Sequence, residues 1–334
     1  MRYVWIIFVV LFGWGCFEED VPVPPYQSPP GVSVVTIPMG PLYDTQIFVD
    51  LGTESIVKTV SRDAWDIAFD ARPGMWEIHL NAARFMRALA IEGQSFENVT
   101  SVASGAPWQT DAPTAAPDSM ALRRWADLSS GTPVVNNVVF VIDLGFTPQG
   151  VTMGRKKMQI QSVNNEGYTV RMANLNNTQD TTLTIARVQD RSFSYLKIHA
   201  DNPFPDIEPP KASWDLVFTQ YTGRVLNNST GIYEEYSVNG VLINPYMVEV
   251  ARDFSTPFMD IIFSDIANYT FTTVRDVIGY DWKTFSFDTE SYVVEINRVF
   301  IIKDTGGLYY KLRFIGFVND AGVRGYPKFE LARF

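Results

Sequence analysis

A five-residue string occurs twice in this chain, as Trp65-Asp66-Ile67-Ala68-Phe69 and as Trp214-Asp215-Leu216-Val217-Phe218, and this duplication constrains the fold more than any other feature. Weaker echoes accompany it in the same order. Val35-Thr36-Ile37 corresponds to Leu183-Thr184-Ile185, and Val138-Val139-Phe140-Val141-Ile142 to Arg298-Val299-Phe300-Ile301-Ile302. Val163-Asn164-Asn165-Glu166-Gly167 corresponds to Val318-Asn319-Asp320-Ala321-Gly322. A shared order at a nearly constant separation implies two tandem modules, too few for a solenoid. The expected division is a first module over 32–182 and a second over 183–334, each with its own core. About 150 residues apiece is an ordinary domain size.

Within each module, β-branched and aromatic runs of four to eight residues alternate with clusters of Gly, Asn, Asp and Pro. That pattern predicts an all-β protein of two tandem antiparallel sandwich-like modules with a few short helices. Period two places Trp65, Ile67 and Phe69 on one face, and Trp214, Leu216 and Phe218 likewise. Asp66 and Asp215 then point the other way, as structural acceptors of hydrogen bonds from a neighbouring turn. Two stretches read as helices: Asn81 to Ile91, stopped by Gly93, and Asp118 to Leu128, capped by Asp118 and ended by Gly131. Met86 and Met120 on these stripes read as core filler.

The N-terminus reads as an export signal. Arg2 precedes an apolar run from Tyr3 to Gly15 that is too short to span a bilayer. Gly15 then stands before Cys16, the chain's one cysteine, and Glu18-Glu19-Asp20 follows, a layout resembling a bacterial lipobox with Gly13 where Leu is usual. The expectation is a signal peptide over 1–15, lipidation at Cys16, and an acidic, Pro-rich tether over 16–31. It places the protein on the outer membrane, anchored by lipid and facing the exterior. With Cys16 acylated no internal disulfide is possible, so burial alone must stabilise the fold. Removing Arg2 takes 27 basic residues to 26 against 37 acidic ones, a net charge of −11. Such a surface argues against nucleic acid as a partner, and Arg155-Lys156-Lys157 reads as a solvated turn.

No Gly-x-Ser-x-Gly elbow, His-Glu-x-x-His, phosphate loop or regular calcium loop is present, so the chain reads as a binding protein and not an enzyme. Asp253, Asp260, Asp265 and Asp276 could supply a carboxylate pair, but turn positions explain them more simply. No metal site is expected either.

Several segments carry a family resemblance. The clearest are Val277-Ile278-Gly279-Tyr280-Asp281-Trp282-Lys283, Val299-Phe300-Ile301-Ile302-Lys303-Asp304, Tyr310-Lys311-Leu312-Arg313-Phe314 and Gly322-Val323-Arg324-Gly325-Tyr326-Pro327-Lys328-Phe329-Glu330. Together with Ser213 to Tyr221, Val238 to Leu242 and, more weakly, Val34 to Phe69, they resemble the HmuY-like lipoproteins. The resemblance implies a surface lipoprotein that clasps haem between β-hairpins for iron acquisition and passes it to a TonB-dependent outer-membrane receptor. In the best-known members two histidines after the Trp-Asp motif hold the iron. Here no histidine follows His199, and the only other is His79, in the strand-like Trp76-Glu77-Ile78-His79-Leu80. The resemblance, in which some relatives use methionine instead, makes Met247 and Met259, between Trp214 and Trp282, the candidate axial donors, with His199 third, while core packing is the competing reading of the methionines. Two functions follow: binding of haem or another small apolar ligand, or a non-haem surface binding or adhesion module that kept the fold and lost the ligands.

Overall fold

The structure is a computed structural model and describes residues 28–198, 200–227, 229–286 and 291–334. The expected signal peptide, Cys16, the tether as far as Gln27 and His199 lie outside the described residues. An N-terminal arm carries β1 (Ser33–Thr36), β2 (Thr45–Asp50) and β3 (Ser55–Ser61). The middle of the chain forms β4 (Ile67–Asp70), β5 (Ile78–Leu80), β6 (Arg87–Ile91), a short pair β7 (Ala126–Asp127) and β8 (Val134–Val135), β9 (Val139–Asp143), β10 (Arg155–Val163), β11 (Gly167–Asn174), β12 (Thr181–Ala186) and β13 (Phe193–Leu196). The remainder forms β14 (Leu216–Asn227), β15 (Ile232–Ile243), β16 (Glu249–Asp253), β17 (Lys283–Ser286), β18 (Ser291–Val294), β19 (Val299–Lys303), β20 (Tyr309–Val318) and β21 (Arg324–Arg333).

These strands make two sandwiches of matching plan. One packs the sheet β12-β11-β10-β9-β6 on β13-β4-β5; the other packs β1-β21-β20-β19-β16 on β15-β14-β2-β3. The inward residues alternate as period two requires. Phe140, Ile142, Met158, Val170 and Met172 meet Ile67, Phe69 and Leu80 in the first core. In the second, Phe300, Ile302, Leu312 and Phe329 meet Ile47, Val49, Leu216 and Phe218. The sequence echoes fall at equivalent places: β1 and β12 at sheet edges, β9 and β19 between their neighbours, and the Asn164 and Asn319 turns closing the hairpins β10–β11 and β20–β21. Each turn asparagine accepts two backbone N–H bonds through Oδ1.

The membership of the sandwiches differs from the division expected at 182/183, which would cut through β12. β12 and β13 open the second repeat yet pair with β11 and β4 of the first. Conversely β1 and β2 open the first repeat yet pair with β21 and β14 of the second. The units are therefore 64–198, and 33–61 with 214–334. Each repeat lends its opening strands to the other. Because the two receiving edges have the same geometry, similarity between the repeats reveals what kind of edge a strand fits but not which copy receives it.

The Trp-Asp motif lies where these borrowed strands dock. Asp66 N–H donates to Leu196 O (2.8 Å) and Asp215 N–H to Val49 O (2.8 Å). The carboxylates return the bond: Ile198 N–H donates to Asp66 Oδ2 (2.7 Å), and Leu51 N–H to Asp215 Oδ2 (2.8 Å). Two asparagines complete the joint. Asn81 Nδ2 donates to Trp65 O (2.8 Å) and Arg62 O (2.7 Å), and Asn244 Nδ2 to Trp214 O (2.6 Å) and Lys211 O (2.8 Å). The aspartates are thus structural, as expected. The tryptophans differ from expectation. Each precedes its strand and packs with Ala68 and Val217 on the face opposite Ile67 and Leu216.

Neither expected helix forms. Asn81 caps one 3-10 turn, Ala82–Arg84, which ends at Phe85 with φ 62°, and β6 begins two residues later. Asp118 lies inside the 3-10 turn Pro117–Ser119, and Arg123–Trp125 leads straight into β7. Helix propensity over some ten residues is weak and such short helices are marginal alone. β6 instead gains a full ladder with β9, burying Ala88, while Met86 and Met120 do fill the core. Nor is Arg155-Lys156-Lys157 a turn. It begins β10, and the Lys157 ammonium is buried against the Phe96 ring, donating to Phe96 O and Val99 O. Lys311 repeats this arrangement on Phe258 O and Ile261 O.

Candidate functional site

Two places on the molecule combine shape with unused chemistry. The first is the seam between the sandwiches. There Phe48, Trp65, Ala68, Phe193, Trp214 and Val217 pack as a cluster of their own. Trp214 meets Phe48 edge-on at 4.9 Å, and Trp65 meets Tyr195 the same way at 5.1 Å, with Phe48 and Tyr195 holding equivalent positions on β2 and β13. The match then breaks. Trp65 Nε1 donates to Gln46 Oε1 (2.8 Å), but Phe193 occupies the position on β13 equivalent to Gln46, and Trp214 Nε1 is buried without a partner among the described residues. A cavity of about 100 Å³ lies here, lined by both tryptophans and by His79, Tyr195, Glu208 and Arg275. His79 is positioned by β5, with Nε2 3.2 Å from Glu77 Oε2 and its ring edge-on to Phe193.

The second place is a pair of hairpins on the second sandwich. β14 and β15 pair through all twelve of their residues, far beyond the sheet, and carry exposed Leu226, Ile232, Tyr233 and Tyr236. β17 and β18 form a shorter hairpin with exposed Phe285, Tyr292 and Val293, where Phe285 and Tyr292 meet at 5.3 Å. Their bases are joined. The backbone of Gly279 crosses β15 by two bonds with Val241 (3.0 and 3.1 Å), and Lys283 Nζ donates to Asn239 O (2.6 Å). Gly240 permits that crossing, since a Cβ there would stand 2.5 Å from Gly279 O. Burial pulls the Lys283 ammonium down to about 7, against the opposing charge of Asp281, and it lies 4.1 Å from the Trp282 ring centre.

The candidate donors are dispersed. Met247 is exposed, with φ 63°, in the turn after β15. That is the end of β15 remote from the hairpin tip, some 35 Å away for an eleven-residue rise. Met259 is exposed on the loop whose Phe258 and Ile261 pack on the outer face of the five-stranded sheet. Neither lines the seam cavity. No group of three His, Cys, Asp or Glu able to hold a metal ion occurs among the described residues.

A sequence profile described as HmuY protein matches residues 42–331. The chain belongs to the HmuY family. Its match spans both sandwiches of the HmuY fold seen here, with β2 and β3 of the borrowed arm but not β1. Among solved structures, apo PinO from Porphyromonas gingivitis aligns over 91% of this chain and 97% of its own at 10% identity, with a TM-score of 0.27. The apo HmuY analog of Tannerella forsythia aligns over 53% of this chain and 93% of its own at 14% identity and a TM-score of 0.18. A Bacteroides vulgatus protein described as HmuY-like and heme binding covers 42% of this chain and 78% of its own, at 15% identity and a TM-score of 0.18. No curated protein matches the chain. Superposition this loose carries no argument, and the HmuY assignment stands on the profile.

A haem-type ligand meets a mixed fit in this HmuY chain. The seam cavity is well below the roughly 300 Å³ at which pockets for drug-sized ligands begin. The hairpin face offers aromatic and branched side chains suited to a flat apolar plate. Paired histidine ligation does not fit, because the one described histidine is held by Glu77 and Phe193 at the seam. The oxygen donors on the hairpins include tyrosines, a residue type able to hold haem iron, beside the carboxylates Glu234 and Glu235.

Proposed function

We propose that this chain is a binding protein, not an enzyme, that takes a haem-type planar ligand on the paired hairpins β14–β15 and β17–β18. The observation that carries the reading is membership in the HmuY family together with the exposed aromatic residues on those hairpins. Tyr233, on the same face of β14–β15 as its cross-strand neighbour Leu226, and Tyr292 would cover the plate, and iron, when present, would accept a side-chain donor. Met247 and Met259 remain candidate donors that a titration can test. Anchoring through Cys16 on the outer face of the outer membrane, iron acquisition and hand-over to a TonB-dependent receptor belong to the same proposal.

Titration of the purified protein with haemin tests it directly. The expected result is a saturable Soret change near one equivalent, weakened at least tenfold by the double change Tyr233→Ala and Tyr292→Ala, and little affected by Tyr236→Ala on the opposite face of β15. Met247→Ala and Met259→Ala, assayed singly, report whether either sulfur is a ligand through loss of the ligated spectrum. No saturable change with haemin or with metal-free protoporphyrin would leave the non-haem surface module as the reading, which the lack of a free histidine among the described residues favours.

A further inference from the structure

The two sandwiches differ at one edge. In the second, β2 is followed by β3, which pairs with it, Lys58 opposite Phe48 and Val60 opposite Gln46. In the first, β13 is the counterpart of β2, yet it ends its sheet and no strand pairs with its outer side. The chain after β13 turns back along that side as a strap, Pro203 to Glu208. Lys197 N–H donates to Pro203 O (2.8 Å), Glu208 takes the Ser192 N–H and the Tyr195 hydroxyl (3.1 Å), and Ile207 enters the seam cluster as Val60 does. This register sets Pro205 across from Tyr195. Pro203 and Pro205 have no N–H to donate, so the strap cannot complete a ladder. Among the described residues, the bond from Lys197 to Pro203 is the one main-chain bond between strap and strand. Ala71 N–H donates to Ser192 O, and ladder bonds alternate along an antiparallel pair. Ser194 and Leu196 therefore bond toward β4, while Phe193 and Tyr195 direct their main-chain N–H and C=O to the strap side. A hollow of about 330 Å³ lies there, bounded by Phe193, Ser194 and Tyr195, by Thr184, Ile185 and Ala186 of β12, and by the strap. Successive side chains of a strand point to opposite faces, so a space lined by three consecutive residues of each strand runs along the strand edges.

We propose that the open edge of β13 is a docking site for an extended peptide segment of a partner protein, which adds to the sheet where β3 adds in the sister sandwich. Its main chain takes up the N–H and C=O groups of Phe193 and Tyr195, and one of its alternate side chains fills the hollow against Phe204 and Ile207. Unpaired strand edges are templates for such pairing, in which the main chain gives affinity and a pocket selects the side chain. The hollow falls within the roughly 300 to 1,000 Å³ of pockets that enclose ligands. Charge holds the strap in place, since Asp206 pairs with Lys58 of β3 across the seam (2.7 Å) and with Arg191 (3.8 Å). Phe204 and Val188 are exposed beside the hollow. The site is separate from the hairpins, so it does not rest on the porphyrin reading.

The sister strand supplies the probe. A peptide of residues 55–61, acetylated and amidated, is titrated into the full chain by calorimetry, with amide hydrogen exchange followed by NMR. The expected result is saturable one-to-one binding with slowed exchange at Phe193 and Tyr195. Arg62 N–H donates to Asp44 O, and by the same alternation Lys58 and Val60 turn their N–H groups to β2 while Thr59 turns its own away. N-methylation of the peptide at Lys58 and Val60 should therefore weaken binding at least about tenfold, and N-methylation at Thr59 less than about threefold. Pro205→Val gives the strap a donor across from Tyr195, so the strap should compete and weaken the peptide several-fold. Absence of saturable binding, an equal loss on methylation at Thr59, or altered exchange at Gln46 and Phe48 in place of Phe193 and Tyr195, the mark of exchange with the chain's own β3, would overturn the proposal. The methylated peptides need no change to the protein, so they decide the matter even if Pro205→Val does not fold.

Discussion

The side chains that matter most to this molecule are small polar ones at a joint. Asp215 accepts from Leu51 N–H, Thr305 N–H (2.9 Å) and the Thr305 hydroxyl, holding a borrowed strand and a distant loop to β14. Asp215→Ala should strand two buried donors and cost about 3 kcal/mol in urea denaturation, with Asp215→Asn losing less. Glu208 carries a pH signature. Burial raises its carboxyl from 4.5 to about 7, against the Ser192 N–H and the Tyr195 hydroxyl, which lower it. Between those two values the folded state holds a proton that the unfolded state has released, so stability falls as pH rises from about 4.5 to 7. Glu208→Gln should remove that slope and stabilise the protein at pH 8, by on the order of 3 kcal/mol at most, in chemical melts run across pH.

The hairpins and arms show how local sequence and tertiary setting share control of an element. β14–β15 is legible in outline, since Trp214 to Phe218 alternates at period two and Val238 to Leu242 belongs to the segments that carry the family resemblance. Its twelve-residue length depends on continuous pairing between them. The anchoring Lys283 titrates in the opposite sense to Glu208. Its ammonium falls from 10.5 to about 7, chiefly through burial, so between these values only the unfolded state keeps the proton and stability rises with pH. Lys283→Met should flatten that rise in melts between pH 7 and 10. Gly240→Ala tests the crossing beneath it: a methyl 2.5 Å from Gly279 O should prise β17–β18 from its base, raising hydrogen exchange of residues 279–286 while β19–β21 stay protected. The segment over Asn81 to Ile91 teaches the converse. Its helix formers became a 3-10 turn and a strand because the edge of β9 was open to pair, and ten residues of propensity are weaker than a ladder with buried Ala88.

For the molecule as a whole, the exchange of opening strands sets what can fold alone. The first core is drawn wholly from residues between Ile67 and Ile198, whereas the second needs Ile37, Met39, Tyr43, Ile47, Val49 and Leu51 from the arm. A fragment of residues 62–198 should therefore give a dispersed amide spectrum and cooperative unfolding. A fragment of residues 183–334, one whole repeat by sequence, should not, and adding a peptide of residues 30–62 to residues 205–334 should restore it. Equal folding by the plain repeat would show that the borrowed strands are dispensable.

The amino-acid sequence by itself determined the duplication, the all-β class, the repeated Trp-Asp motif and the structural role of its aspartates. These follow from side-chain period and residue type, which act over a few neighbouring positions. Only the tertiary structure decided which copy each opening strand completes, because the two receiving edges are chemically alike and nothing local separates them. It also decided that Trp65 and Trp214 face the seam, and that Phe193, standing where its counterpart is Gln46, leaves the Trp214 indole N–H without an acceptor among the described residues. Such a mismatch arises from a pairing between residues far apart in the chain, and it exists only once the two sandwiches meet.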